Sequence, residues 1–171
     1  MRLIVLALLA TLVPAAWASK AHEHGVAHVD IAVDAARLTI ALSTPLDNLV
    51  GFERAPRTDA ERRALEAALA RLADAALWQP DVAAQCKAGN AKVTPPSFDN
   101  VKGKPAKADE HADVEASVEF ECAKPQELRN LGTQLFKALP RLKRAEVQIA
   151  TPRGQAKVVL RPVSAAIVLP R

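Results

Sequence analysis

The sequence predicts an α+β fold: an antiparallel sheet of about six to seven strands in hairpins, with one long helix and one or two short helices. Three observations carry that expectation. Apolar and polar residues alternate through 26–44, 113–122 and 145–161, the two-residue period of half-buried strands. One stretch alone, 59–78, has a sustained helical period. Helices are too few to alternate with strands as a parallel, doubly wound sheet would need. The chain has 171 residues, enough for one domain, and half are hydrophobic, so a core can be built. With four Phe, two Trp and no Tyr, that core must come mainly from Val, Leu, Ile and Ala.

Residues 1–18 stand apart. Arg2 precedes the apolar run "LIVLALLATLV", and "AWA" at 16–18 fits a small-x-small cleavage site. We read a secretory signal peptide cleaved after Ala18, leaving a single domain over 19–171 in the periplasm. The run is too short to span a bilayer, and no later segment is apolar enough to cross or anchor in a membrane. Without Arg2 the formal charge of +4 falls by one, to +3, and no basic run suits nucleic acid.

The elements follow in order. Ala27, Val29, Ile31 and Val33 share one parity, with His28 and Asp30 on the other. Leu38, Ile40 and Leu42 then return as the hairpin partner, which Pro45 stops. Residues 45–57 read as a loop. "TDAE" at 58–61 is a capping box, with Thr58 as the cap and Glu61 reaching back. Leu65, Leu69, Leu72 and Ala76 form the buried face of the long helix at 59–78. Residues 79–112 lack period: a short strand fits near 91–98, and about 95–112 reads as a flexible, solvated loop. The clearest strand is 113–122, with Val114, Ala116, Val118, Phe120 and Cys122 inside and an acidic outer face. "KPQELRNLGTQLFKALPRL" suggests one or two short helices broken near Gly132. Residues 145–149 and 155–161 form a hairpin across "TPRG", and "AAIVLP" supplies a last short strand. Cys86 and Cys122, the only cysteines, are expected to form a disulfide in an oxidising compartment.

Chemistry concentrates in the histidines. Three of the four lie in "HEHGVAHVD" at 22–30, and the fourth is His111 in "DEHADVE". Zinc takes about four ligands from neutral His, thiolate or carboxylate. On a strand His22 and His24 would lie about 6.6 Å apart and point the same way, whereas His24 and His28 would lie about 13 Å apart. A shared site therefore needs a bend, which Gly25 permits, or help from His111. If the strands at 26 and 113 are sheet neighbours, their polar faces, with His28 and Asp30 on one and His111, Asp113 and Glu115 on the other, point to the same side, and His24 or His28 can meet His111 and a carboxylate. The candidate ligands are thus His22, His24, His28, His111, Asp113 and Glu115, for zinc or, alternatively, copper. No nucleophile elbow, H-E-x-x-H or phosphate-binding glycine loop is present, and an enzyme is not expected.

"HEHG", "PLDNLVGFERAPRTDAER", "EHADVEASVEFEC" and "QIATPRGQAKVVL" together resemble the ZrgA-like family of periplasmic zinc-binding proteins. The resemblance runs over about 22–162, and its most specific stretch is "NLVGFE-x-APRT". It implies zinc binding in the periplasm in association with a zinc-uptake transporter, with His22, His24 and His111 as ligands and no catalytic activity. Proteins of this type often carry a His- and Asp-rich run before the acidic strand. Here "NVKGKPAKADE" takes its place, so one or two structured sites are implied rather than multi-ion buffering. The competing expectation is an envelope interaction or scaffold module that needs no metal.

Overall fold

The computed structural model describes residues 23–96, 98, 112–164 and 166–170. The expected signal peptide, most of the expected flexible loop, His22 and His111 lie outside the described residues. β1 (Val26–Asp34) and β2 (Arg37–Pro45) form the expected hairpin, with His28 opposite Ser43 and Asp34 opposite Arg37. Ala27, Val29 and Ile31 are buried together with Leu38, Ile40 and Leu42. The alternation of the sequence has thus become two faces of a sheet. β5 (Asp113–Cys122) adds antiparallel to β2, and β4 (Cys86–Thr94) adds antiparallel to β5. β7 (Arg144–Thr151) and β8 (Gly154–Leu160) form the second hairpin.

The sheet is mixed, which corrects the antiparallel expectation: β7 pairs with β1 in parallel, giving the order β4-β5-β2-β1-β7-β8. Hairpin alternation fixes each pair but carries no information about how separate hairpins join. Nine strands are described rather than six or seven. The extra ones are short: β3 (Trp78–Pro80), β6 (Asn130–Thr133) and β9 (Ala166–Val168) make a separate three-stranded sheet. Gly132, read as a helix break, lies within β6, where a Cβ would come within 3.2 Å of the Gln79 side chain. Strand β4 starts at Cys86, earlier than the strand expected near 91–98. The expected loop at 45–57 contains the one-turn helix α1 (Asp47–Val50), and a further one-turn helix, α3 (Leu135–Ala138), follows β6.

Helix α2 (Asp59–Leu72) starts where the capping box places it. Thr58 Oγ1 accepts from the Glu61 N–H at 3.1 Å, and the Glu61 carboxylate accepts from the Arg57 N–H at 2.6 Å. The helix stops at Leu72 rather than 78, because the Asp74 side chain takes the Ala76 N–H and starts a separate 3-10 turn at 75–77. Leu65, Ala68 and Leu72 join Trp78, Leu131, Leu135 and Ile167 in one core with the inner face of the six-stranded sheet. The outer face, bearing Asp30, Ala32, Ala41 and Gln148, stays exposed.

A buried polar node ties the start of β1 to the end of β2. Asn48 is fully buried. Its Oδ1 accepts from the Gly25 N–H at 2.7 Å, and its Nδ2 donates to the Val26 carbonyl at 2.8 Å and to Thr44 Oγ1 at 2.9 Å. Nearby backbone N–H and C=O groups that would be costly to leave unmet are thereby satisfied.

Cys86 and Cys122 form the expected disulfide, as opposed residues of β4 and β5 separated by 36 positions. Replacing both with Ser is expected to cost about 3–4 kcal/mol of unfolding free energy from loop closure, read by denaturant titration. Asn48→Ala strands the buried Gly25 N–H, leaves the Val26 C=O only the 3.5 Å hydrogen bond from Thr44 Oγ1, and is expected to cost roughly 2–5 kcal/mol in the same assay. Glu61 provides a pH test. The Arg54 guanidinium, then the Arg57 N–H, hold its carboxyl down at about 2 against an ordinary value of 4.5. A lowered folded-state value stabilises above 4.5 and is lost as pH falls toward 2. The melting temperature of Glu61→Gln should therefore sit below that of the native protein at pH 6 and converge with it over that interval.

Candidate metal centre

Strand directions decide which candidates can meet. Both β1 and β5 run antiparallel to β2, so they run parallel to one another and start at the same end of the sheet. β7, parallel to β1, starts there too, and β2 finishes there. The last row at this end holds Asp113 opposite Pro45 and Val26 opposite Arg144. The described segments next to the candidates all reach this end: 23–25 leads into β1, residue 112 leads into β5, and 46–58 leaves β2.

Each segment is held there by its backbone. Residues 23–26 form a turn in which Glu23 O accepts the Val26 N–H at 3.1 Å. Gly25 has φ +82°, the sign a type II turn needs at its third residue. A Cβ at Gly25 would lie 2.9 Å from Lys143 Cδ. Its carbonyl accepts from the Lys143 and Arg144 N–H groups at 2.8 and 3.0 Å, and its own N–H goes to Asn48. The bend that the histidine spacing called for is therefore present. On the other side of β2, the Leu46 N–H donates to Ala112 O at 2.8 Å, fixing the residue that follows His111.

The turn delivers His24 to a carboxylate that sequence reasoning did not single out. His24 Nε2 lies 3.0 Å from Glu53 Oε1; His24 is 58% exposed and Glu53 18%. Glu53 is set by its neighbours. Gly51, at φ +84°, ends α1 with its N–H on Asp47 O at 2.9 Å. Arg54 places its guanidinium 4.8 Å above the Phe52 ring and forks onto Glu61 at 2.7 and 2.9 Å. Glu23 turns the other way: Arg144 takes its carboxylate at 2.8 and 3.1 Å and holds it below the usual range. Glu53 lies in the "NLVGFE" stretch, but no spacing rule connects that stretch to the histidines.

His28 goes elsewhere. It sits two residues further along β1 than Val26, on the outer face, with Nδ1 3.8 Å from Glu146 Oε2 on β7. Glu146 also meets Arg144 at 3.5 Å and Lys157 at 3.8 Å. The condition for a site shared by the polar faces of β1 and β5, that the two strands be neighbours, is not met, because β2 lies between them. Glu115 stands opposite Ser43, which stands opposite His28. Two strand spacings, about 9.6 Å, thus separate the two backbones, and His28 faces the opposite neighbour. Asp113 and Glu115 lie on the outer face of β5, Asp113 in the last row beside Pro45. Among the described residues, no three of His, Cys, Asp and Glu converge to hold a metal ion. His24 and Glu53 supply one nitrogen and one oxygen, donors that zinc accepts.

No curated protein matches the sequence. A family model does: the ZrgA family zinc uptake protein model matches residues 21–169, which take in the His24 turn, the loop bearing Glu53 and every strand of both sheets. With nearly the whole chain matched, this protein belongs to the ZrgA family of zinc uptake proteins.

Proposed function

We propose that this is a periplasmic zinc-binding protein that sequesters zinc or hands it to an uptake transporter, without catalysing a reaction. The observation that carries the reading is the gathering, at one end of the sheet, of the turn with His24, the loop with Glu53 and the start of β5 that follows His111. In this reading His22, His24 and His111 are ligands, and zinc is cargo rather than a resident cofactor. Export by a signal peptide cleaved after Ala18 is part of the same proposal; among the described residues no helix is long and apolar enough to cross a membrane. Copper would compete on affinity at such donors, so selectivity for zinc rests on supply.

The Asn48 amide and backbone hydrogen bonds hold the turn that bears His24, so little ordering of that residue is required when zinc binds. That lowers the entropic cost of binding. A ligand that binds only the folded state raises stability by mass action, so zinc is expected to raise the melting temperature and chelator to reverse the gain. In competition titrations with a chromophoric chelator, His24→Ala and His111→Ala should each weaken zinc by roughly tenfold or more. Stability indifferent to zinc and chelator, together with unchanged binding in both variants, would instead favour a metal-independent scaffold module.

A further inference from the structure

The six-stranded sheet has two edges, and they differ in how well they are closed to other chains. At one, β4 slips register between Ala88 and Ala91 and carries Lys87 and Lys92. A bulge and edge lysines both discourage pairing with a further strand. At the other, β8 runs from Gly154 to Leu160 with no proline and no register shift. Its one charged residue, Lys157, is drawn back over the sheet, with Nζ 3.8 Å from Glu146 Oε2 on β7. Among the described residues, β8 makes backbone–backbone hydrogen bonds with β7 alone. Every second N–H and C=O of the strand therefore points away from the sheet.

The two faces of β8 specify what fits beside it. Toward the core, Ala156 and Val158 are only half-buried against the hydrophobic cluster, so their outer flanks remain open. The opposite face carries Gln155, Lys157 and Val159, the last 49% exposed. Arg153 and Arg161, both exposed, stand at either end of the strand. No Asp or Glu follows Glu146 in the sequence, and Glu146 is itself met by Arg144 and Lys157. A second copy of β8 would set arginine and lysine against arginine and lysine, and like charges opposite one another destabilise a strand pair.

We propose that the β8 edge is a docking site for an extended segment of a partner protein whose residues alternate between acidic and apolar, and which adds to the sheet as a further strand. Main-chain hydrogen bonds to β8 supply affinity, and the alternating side chains supply selectivity. The acidic residues meet Arg153, Lys157 and Arg161, while the apolar ones cover Ala156 and Val158. Docking here requires no metal.

The test uses the mature protein in chelator and two labelled peptides of the length of β8. One alternates valine with glutamate, the other valine with lysine. Binding is read by fluorescence anisotropy and by residue-resolved hydrogen exchange. The glutamate peptide is expected to bind, more weakly as salt rises, and the lysine peptide to bind roughly tenfold more weakly or worse. In the complex every second amide of β8 should exchange roughly tenfold more slowly or better. Lys157→Glu should weaken the glutamate peptide severalfold and strengthen the lysine peptide, an exchange that a merely structural effect would not produce. Melting curves establish that Lys157→Glu is folded; if it is not, the two peptides on the native protein decide. No binding of the glutamate peptide at millimolar concentration, equal binding of both peptides, or protection that spares β8 overturns the assignment. Concentration-dependent protection of the same amides without peptide would put a second copy at this edge, and overturns it as well.

Discussion

The amide of Asn48 is the constraint on which the rest of this site depends. A primary amide has one acceptor and two donors to place, and here the placement joins three pieces of chain. Its oxygen takes the Gly25 N–H, and its nitrogen serves the Val26 carbonyl and the Thr44 hydroxyl. An apolar residue of the same size would fill the space but leave the turn at 23–26 attached on one side only. The turn would then be free to pivot about β1, and His24 with it. Asn48 sits on α1, whose glycine cap in turn sets the chain leading to Glu53. One buried side chain thus fixes both partners of the histidine–carboxylate pair relative to one another.

Strand direction supplies the second level of order. β2, antiparallel to both its neighbours, makes β1 and β5 begin side by side although a long stretch of sequence separates them. The parallel join to β7 adds a third strand start to the same edge and brings in Lys143 and Arg144, which close over Gly25. Loops at such an edge are where side chains from distant parts of a chain can meet on a rigid support. The exposed outer face, by contrast, holds His28 in a network of ion pairs along the rows of the sheet.

Much of this was legible in the sequence where the determinants are local. Parity told which of Ala27, Val29, Ile31, Val114, Val118 and Phe120 face inward, and all are buried. Thr58 and Glu61 announced the start of α2, and the cysteine count announced the disulfide. Asp74 was readable too, as a residue able to capture a backbone N–H and end a helix, yet the run of Ala75, Ala76 and Leu77 continued the helical pattern past it. Strands of three or four residues, such as β3 and β6, are too short to establish a period. The order of hairpins in the sheet, the parallel β1–β7 join and the position of Glu53 opposite His24 arise only from tertiary packing. Glycine marked a bend between His24 and His28, but nothing local said that the bend would separate them, sending one toward the loop after β2 and the other onto the sheet.

The parallel join also sets an order of assembly. Antiparallel neighbours β1 and β2 are linked by a two-residue turn and can pair as soon as both exist, with Asn48 following directly behind. The other wall of the Gly25 turn is provided by Lys143 and Arg144, close to the far end of the chain. Closing that contact requires a large loop, the kind of non-local pairing that comes slowly in folding. The histidine-bearing turn is thus half-built early and locked late. A nascent or truncated chain lacking β7 would display the histidines without the geometry, and a locked turn therefore reports that nearly the whole domain has folded.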